Sequence, residues 1–586
     1  MAVSDPPLLH RSESPSESLR AEEEDALLTG QHINRTSTSR WRTWREIGLF
    51  TWATLATAAL IIVAVILQKQ QTEDDNRPTP SGKRNLIFMV SDGMGPTSLS
   101  LTRSYNQFQY ALPWGEQLTI DKYLIGQSRT RSTSSLVTDS AAGATAFSCG
   151  IKSYNGAISV LDDHSPCGTV LEAAKKAGYM TGLVVTTRIT DATPACFAAH
   201  VNMRSEEDRI AEQLVGDYPL GRVVDLMLGG GRCHFLPNTT AGSCRADDKD
   251  IIALAKKNGF NYAKDRKDFD NLKLGKALKF PMLGLFAETD IPYEIDRRNE
   301  HDIYPSLDEM ARTAMEALSA ATKDSEKGFF LMIEGSRIDH AGHANDPAAQ
   351  VHEVLAYDKA FASVIDFLEH DTTEGLMVST SDHETGGLAT ARQLHSTYPE
   401  YLWFPGVLAN VSASAERLSQ NYFRKLQTEP KEVTSWVKNA VSEQLGIHDA
   451  TDEEIALIVD HPETAPYTFA DMVSRRAQTG WSTHGHSAAD VNIYTSSPKV
   501  AAALRGNHEN TEVGKFLRDY LNVNVDEITQ ELKEKGTLFD TVNAQGETIS
   551  WMGKIPHQGE RLDGQDHVDH YQGDFKKHKR CEICGL

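Results

Sequence analysis

Between Gly48 and Leu67 the chain carries twenty consecutive residues without a charge, GLFTWATLATAALIIVAVIL. As an α-helix such a run spans about 30 Å, the thickness of a bilayer's hydrocarbon core. A helix made for a protein core would show an apolar stripe beside a polar face, and this one does not. It also lacks the marks of a cleavable leader: 47 residues precede it, and its end, VILQKQQ, has no small-x-small pattern. The sequence therefore predicts one transmembrane helix over residues 48–67, with the remainder divided between two sides of a membrane.

Flanking charge sets the orientation. Arg35, Arg40, Arg42 and Arg45 precede the run, whereas Lys69 is soon followed by Glu73, Asp74 and Asp75. The positive-inside rule then keeps residues 1–47 cytosolic and translocates everything after the anchor. That short tail is rich in Ser, Pro and Glu and is expected to be disordered. Within it, Glu23-Glu24-Asp25-Ala26-Leu27-Leu28 resembles the acidic dileucine signal read by sorting adaptor complexes on cargo bound for lysosomes or vacuoles. The sequons at Asn238 and Asn410 would face the lumen and be open to glycosylation, and Asn34 would not. An oxidising lumen also permits a Cys233–Cys244 bridge, and the odd total of seven cysteines leaves at least one thiol unpaired.

The translocated part is long enough for a large core. The whole chain has 586 residues, 40% of them hydrophobic, and a formal net charge of −22. A surface that acidic repels phosphate backbones, which argues against nucleic-acid binding. After a linker (68–84), the run Asn85–Val90 reads as a strand buried on both faces and ends in Ser91-Asp92-Gly93. Segments 181–187, 328–333 and 375–381 share that character, and each is followed by charged residues: Arg188 and Asp191, Glu334, and Asp382-His383. Helix-like stretches such as 169–177 and 307–321 lie between them. The alternation predicts an α/β fold, a three-layer α/β/α arrangement on a largely parallel sheet. Ligands of such sheets bind beyond the carboxyl ends of the strands, where Asp92, Glu334 and Asp382 would emerge together.

One acid after a strand is an ordinary turn or cap. Here histidines accompany the acids. Asp339 and His343 are four residues apart and can share one metal ion. Thr483-His484-Gly485-His486 adds imidazoles downstream. Carboxylates with imidazoles suit zinc, and acids with a nearby Thr hydroxyl suit magnesium. Thr138-Asp139-Ser140-Ala141-Ala142 reads as the start of a tightly packed helix. Ser140 there is a simple cap residue or a nucleophile activated by metal, and the segment alone leaves both open.

Four motifs together resemble those of the alkaline phosphatases, in that family's order: Val90–Gly95, Thr138–Ala142, Glu334–His343 and Thr380–Gly387. The similarity runs from about Asn85 to about Leu521. With its tail and single anchor the whole chain is similar to the fungal vacuolar branch of the family. The resemblance implies a broad-specificity phosphomonoesterase with two zinc ions and one magnesium ion. Ser140 matches the serine that is transiently phosphorylated and Arg204 the arginine that clamps phosphate. Asp339, His343 and a downstream histidine match one zinc site; Asp92, Asp382 and His383 match the other. Asp92, Thr193 and Glu334 match the magnesium site, with Asp191 as an outer member holding metal-bound water. The downstream histidine is His484 or His486, and His486 keeps the family's spacing to the next strand. Asp191 follows the bacterial pattern and His340 the animal one.

The same resemblance places a crown-like insertion over 388–482, often at a dimer interface, and implies a homodimer, while the sequence of the stretch by itself also fits a plain surface insertion. The expected partners are phosphate monoesters, phosphorylated peptides, the vacuole membrane and an adaptor complex. A C-terminal extension (522–586) is expected to be removable or disordered, and its Cys581 and Cys584 resemble half a zinc knuckle. Two other functions compete: a related phosphodiesterase or sulfatase-like hydrolase, and a silent membrane cargo protein. The serine nucleophile and the complete ligand set disfavour both.

Overall fold

The computed structural model describes residues 40–75, 82–398, 400–542 and 548–556. The dileucine motif, Asn34 and the Cys581/Cys584 pair lie outside these residues. The chain forms two compact units, Met1–Pro78 and Thr79–Leu586. In the first, helix α1 (Arg40–Asp75) extends beyond the apolar run at both ends. Among the described residues its Trp44–Ala64 segment is the one helix long and apolar enough to cross a membrane, and none of it is buried. The hydroxyls of Thr51, Thr54 and Thr57 each donate to the carbonyl four residues back, at 2.8, 2.7 and 2.8 Å. Those bonds satisfy the three threonine hydroxyls within the helix itself, as a lipid environment requires.

The second unit is organised by one ten-stranded sheet. Its strands are β1 (Arg84–Val90), β2 (Leu124–Arg129), β3 (Met180–Arg188), β4 (Leu226–Gly230), β5 (Asn261–Ala263), β6 (Met282–Leu285), β7 (Phe329–Glu334) and β8 (Glu374–Thr380). After the short ladder strands β9 (Glu384–Thr385) and β10 (His486–Ser487) come β11 (Val491–Thr495) and β12 (Gly506–Glu509). The order across the sheet is β12-β2-β11-β8-β1-β7-β3-β4-β6-β5. Only β11 runs against its neighbours. Val90 at the end of β1 lies opposite Glu334 on one side and Thr380 on the other, so three strands finish level.

Successive residues of β1 feed opposite cores, the period-2 consequence of strand geometry. Leu86, Phe88 and Val90 join one large apolar cluster on the first face of the sheet. Among the helices, in chain order, are α2 (Pro96–Gln109), α3 (Ser140–Ser148), α4 (Val170–Lys176), α5 (Ala192–Ala198), α6 (Leu307–Thr322), α7 (Arg337–His343) and α8 (Pro347–His370). Phe147 of α3, Leu171 of α4 and Ala195 of α5 pack against the first face. Ile87 and Met89 point the other way, onto Met310 and Leu318 of α6 and Phe361 of α8. The result is a three-layer α/β/α sandwich.

Residues 388–482 form a mainly helical insertion containing α9 (Ala415–Thr428), α10 (Val433–Gln444), α11 (Asp452–Asp460) and α12 (Ala465–Ala477). Leu418, Tyr422, Val437, Ile458 and Phe469 build its own apolar cluster, closed against Leu101 and Tyr105 of α2 and Val351 of α8. Beyond the insertion, α13 (Asn510–Leu521) is followed by α14 (Val525–Gly536). Packing continues past Leu521, because Val525, Ile528, Leu532 and Trp551 are all members of the first core. The described start of the C-terminal extension is thus an integral part of the fold rather than a loose tail. Among the described residues two disulfides are present, Cys149–Cys167 and Cys233–Cys244, and Cys196 is a buried free thiol.

Candidate active site

The level strand ends put the acids in one row. Asp92 follows β1, Glu334 closes β7, Asp382 follows β8, and Asp191, just after β3, caps α5 by accepting from Ala192 N at 2.8 Å. The turn after Asp92 needs glycine: Gly93 has φ +76°, and a Cβ there would lie 2.5 Å from Asp339 Cα. That close approach brings α7, with Asp339 and His343, over the end of β1.

Ser140 is the first residue of α3, with Asp139 as its cap. The Asp139 carboxylate accepts from Ala142 N at 2.9 Å and from Gly156 N at 2.9 Å. Ser140 Oγ lies 3.1 Å from His383 Nε2. Small residues make this approach possible, since a Cβ on Gly143 would stand 3.0 Å from Asp382 Cβ. Arg204 reaches the same place from a turn after α5. Its guanidinium donates to Asp191 at 3.0 Å and to Asp139 at 3.4 Å.

Two groups of ligand-type atoms each lie within 4.8 Å of one another: Asp92, Asp382 and His383, and Asp339, His383 and His486. His383 falls between the two, its ring stacked on His486 with centroids 3.5 Å apart. His343 stands beside the second group, its Nε2 3.3 Å from Asp339 Oδ2 and 3.1 Å from His486 Nε2. Of the two downstream histidines, His486 faces the cluster, with Nε2 3.4 Å from Asp339 Oδ1 and Nδ1 2.7 Å from the Thr138 carbonyl. His484 turns away; its Nδ1 lies 2.8 Å from the His343 carbonyl and its ring packs on Tyr467. A further group, Cys233, His234 and Cys244, offers no thiolate because its cysteines are bridged.

Asp92 Oδ1, Asp382 Oδ2 and Thr193 Oγ1 are buried without a hydrogen bond of good geometry among the described residues. Buried oxygens of this kind are costly unless something pairs with them. The electrostatics point the same way. Burial, followed by the carboxylates of Asp382, Asp339 and Glu334, pushes Asp92 well above the usual carboxylate range. Burial also raises Glu334, although Ser336 donates to it at 2.6 Å. So many acids facing one another require cations, and the donor set suits them: carboxylate and imidazole for zinc, carboxylate and hydroxyl for magnesium.

Imidazoles and arginine already offset part of this charge. Burial opposes ionisation of Asp191, but Arg188 and Arg204 outweigh it and hold its carboxyl well below normal. The Asp339 carboxylate raises His343 to about 9. Burial and then the His383 charge lower His486. Sequence reasoning had no role for Arg188, which bonds Glu207 at 2.9 Å and Asp290 at 2.8 Å while reaching Asp191 at 3.3 Å. His340 joins the same network, 3.7 Å from Asp290 and 4.0 Å from Asp191. Arg188 occupies the same kind of strand-end position as the acids, and that was the available signal.

The sequence model of the alkaline phosphatase family matches residues 83–523, and the chain belongs to that family. It is accordingly an enzyme, a phosphoric monoester hydrolase. Among similar proteins, the repressible alkaline phosphatase of Saccharomyces cerevisiae is 52% identical over 475 residues, covering 77% of this chain and 84% of that one. The alkaline phosphatase of Schizosaccharomyces pombe is 46% identical over 521 residues, covering 88% and 94%. Among solved structures, the alkaline phosphatase of Thermus thermophilus superposes with a TM-score of 0.64 at 29% identity, over 78% of this chain and 97% of that one.

Proposed function

We propose that this chain is a broad-specificity phosphomonoesterase working through a phosphoserine on Ser140. The observation that carries the reading is the meeting of Ser140 Oγ with His383 at the start of α3, beneath an arginine held by Asp139 and Asp191. Asp339, His343 and His486 would hold one zinc ion and Asp92, Asp382 and His383 a second. Asp92, Thr193 and Glu334 would hold magnesium, with Asp191 gripping its water. When bound, these ions supply the positive charge that lowers the serine's pKa and stabilises the departing and attacking oxygens.

The chain's own groups do the rest. Arg204 offers two N–H donors to non-bridging phosphoryl oxygens, and its two carboxylate partners fix the plane of the fork. Ser140 Oγ attacks phosphorus in line, forming the Ser–O–P bond as the ester P–O bond breaks and the leaving oxygen takes a proton. Water then attacks the phosphoserine from the vacated side; the Ser–O–P bond breaks, inorganic phosphate leaves and a proton from the water returns to Ser140 Oγ. Two displacements give retention at phosphorus and allow transfer to alcohols. Wild type and Ser140→Ala full-length protein, assayed on p-nitrophenyl phosphate with zinc and magnesium, test this. Metal-dependent turnover lost in the variant supports it; equal turnover in both sinks it.

The cellular setting belongs to the same proposal. The charge bias around α1 supports a single-pass anchor with a lumenal catalytic unit, and the tail motif supports adaptor-led sorting to the vacuole membrane. Asn238 and Asn410 are exposed, as glycan acceptors must be. In the insertion Tyr398 and Tyr401 are 81% and 83% exposed, which favours a second copy as partner.

A further inference from the structure

A short segment near the end of the described chain, Trp551–Lys554, grips both flanks of the turn that carries Arg204. Arg204 follows Met203 in a β-turn closed by Glu206 N donating to the Met203 carbonyl at 3.0 Å. Just before the turn, Asn202 N donates to the Met552 carbonyl at 2.8 Å. The Asn202 side-chain amide donates to the carbonyls of Met552 and Gly553, each at 3.2 Å. At the turn's far end, Lys554 N donates to Glu206 Oε1 at 2.9 Å. Met203 and Met552 each pack on the small cluster of Tyr154, Ala157 and Val160.

The segment is itself anchored. Trp551 is buried in the main core, its ring against His200 and Tyr218 with centroids 5.8 and 6.4 Å apart. Gly553 has φ +80°, and a Cβ there would meet Glu206 Oε1 at 2.0 Å. Glycine is therefore what lets the segment lie flat across the turn. The family match ends at residue 523, so these contacts come from chain beyond it.

We propose that Trp551–Lys554 is a strap that positions Arg204 over Ser140, with Asn202 and Gly553 as its positioning residues. The inference rests on Arg204 binding the phosphoryl group. A guanidinium displaced by about 1 Å loses much of its effect on a reacting group, so fixing the turn at both ends has a functional consequence.

The test uses full-length protein in detergent, loaded with zinc and magnesium, with inorganic phosphate as competitive inhibitor. Asn202→Ala and Gly553→Ala are each expected to weaken phosphate inhibition by about three- to tenfold, with kcat changed less. In an Arg204→Ala background the same changes should add nothing further, whereas a merely structural role would add in full. Melting curves recorded alongside identify an unfolded variant; should Gly553→Ala not fold, Asn202→Ala decides. Unchanged inhibition in Arg204→Ala would refute the role of Arg204 itself. Weakened inhibition in Arg204→Ala with none in the strap variants, or fully additive effects, would overturn the strap.

Discussion

The half of the site that holds Ser140 and the half that faces solvent are made from different materials. In the inner half, Asp92 and His383 have side chains 10% and 0% exposed, and Asp382 is wholly enclosed. These residues follow directly on the central strands β1 and β8, and Asp382 accepts from the amides of Gly93 and His383 at 3.3 and 3.1 Å. In the outer half, His343 is 41% exposed and comes from the seven-residue helix α7. Its neighbour His486 stands on a two-residue ladder strand rather than in the large sheet. The proposed nucleophile Ser140 thus starts a wholly buried helix beside these strand ends, while the outer histidines are carried by short peripheral pieces.

Removing the proposed nucleophile is expected to give the largest effect in this comparison: Ser140→Ala should lower kcat by roughly 10³-fold or more. Inner and outer ligands should then differ. Asp382→Asn should lose a bound metal, measured by elemental analysis, and added zinc should not restore turnover. His343→Ala should weaken zinc by about 10- to 100-fold and recover activity when zinc is raised. If both variants respond alike to zinc, the distinction between the halves fails. Arg204→Ala should weaken phosphate inhibition by about 10- to 100-fold, as expected for lost charge-assisted bonds.

The smallest effect comes from a control lying in neither half. Burial pushes Glu353 of α8 up to about 7, and its carboxyl accepts from Glu294 N at 2.6 Å. The folded state then binds this proton more tightly than the unfolded chain, whose glutamate titrates near its ordinary value of 4.5. Its contribution is fully present below that value and falls as pH rises to about 7. Glu353→Gln keeps the acceptor and removes the charge. Its melting temperature should gain on wild type between about pH 5 and pH 8, with metal content unchanged; a gain equal at both pH values would contradict the assignment.

The sheet and its acidic rim were legible because each buried strand announces itself by a short apolar run and each acid follows one directly. Asp92, Glu334 and Asp382 needed no knowledge of distant partners. The choice between His484 and His486 did need it, since two imidazoles two residues apart differ only in which one the turn points inward. Arg188 and Asp290 are a hundred residues apart, and nothing local joins them. The Cys149–Cys167 bridge escaped notice for the same reason, and so did the packing of Trp551, whose surroundings read as tail. Local pattern reveals elements and their ends; pairing across the chain is decided by topology.

The small ladder between β9 and β10 has a consequence for the insertion it encloses. His486 lies opposite Thr385 and Ser487 opposite Glu384, and a further bridge joins Ala389 to Gly480. The ends of the helical insertion are therefore stitched together before its helices begin. Chain entropy grows only slowly with the length of such a closed loop, about 0.6 kcal/mol per doubling. The enclosed segment can be lengthened, shortened or exchanged as a cassette while His383 and His486 stay in register, provided the replacement covers Leu101, Tyr105 and Val351. Diversity in what surrounds the active site comes at little expense to the chemistry within it.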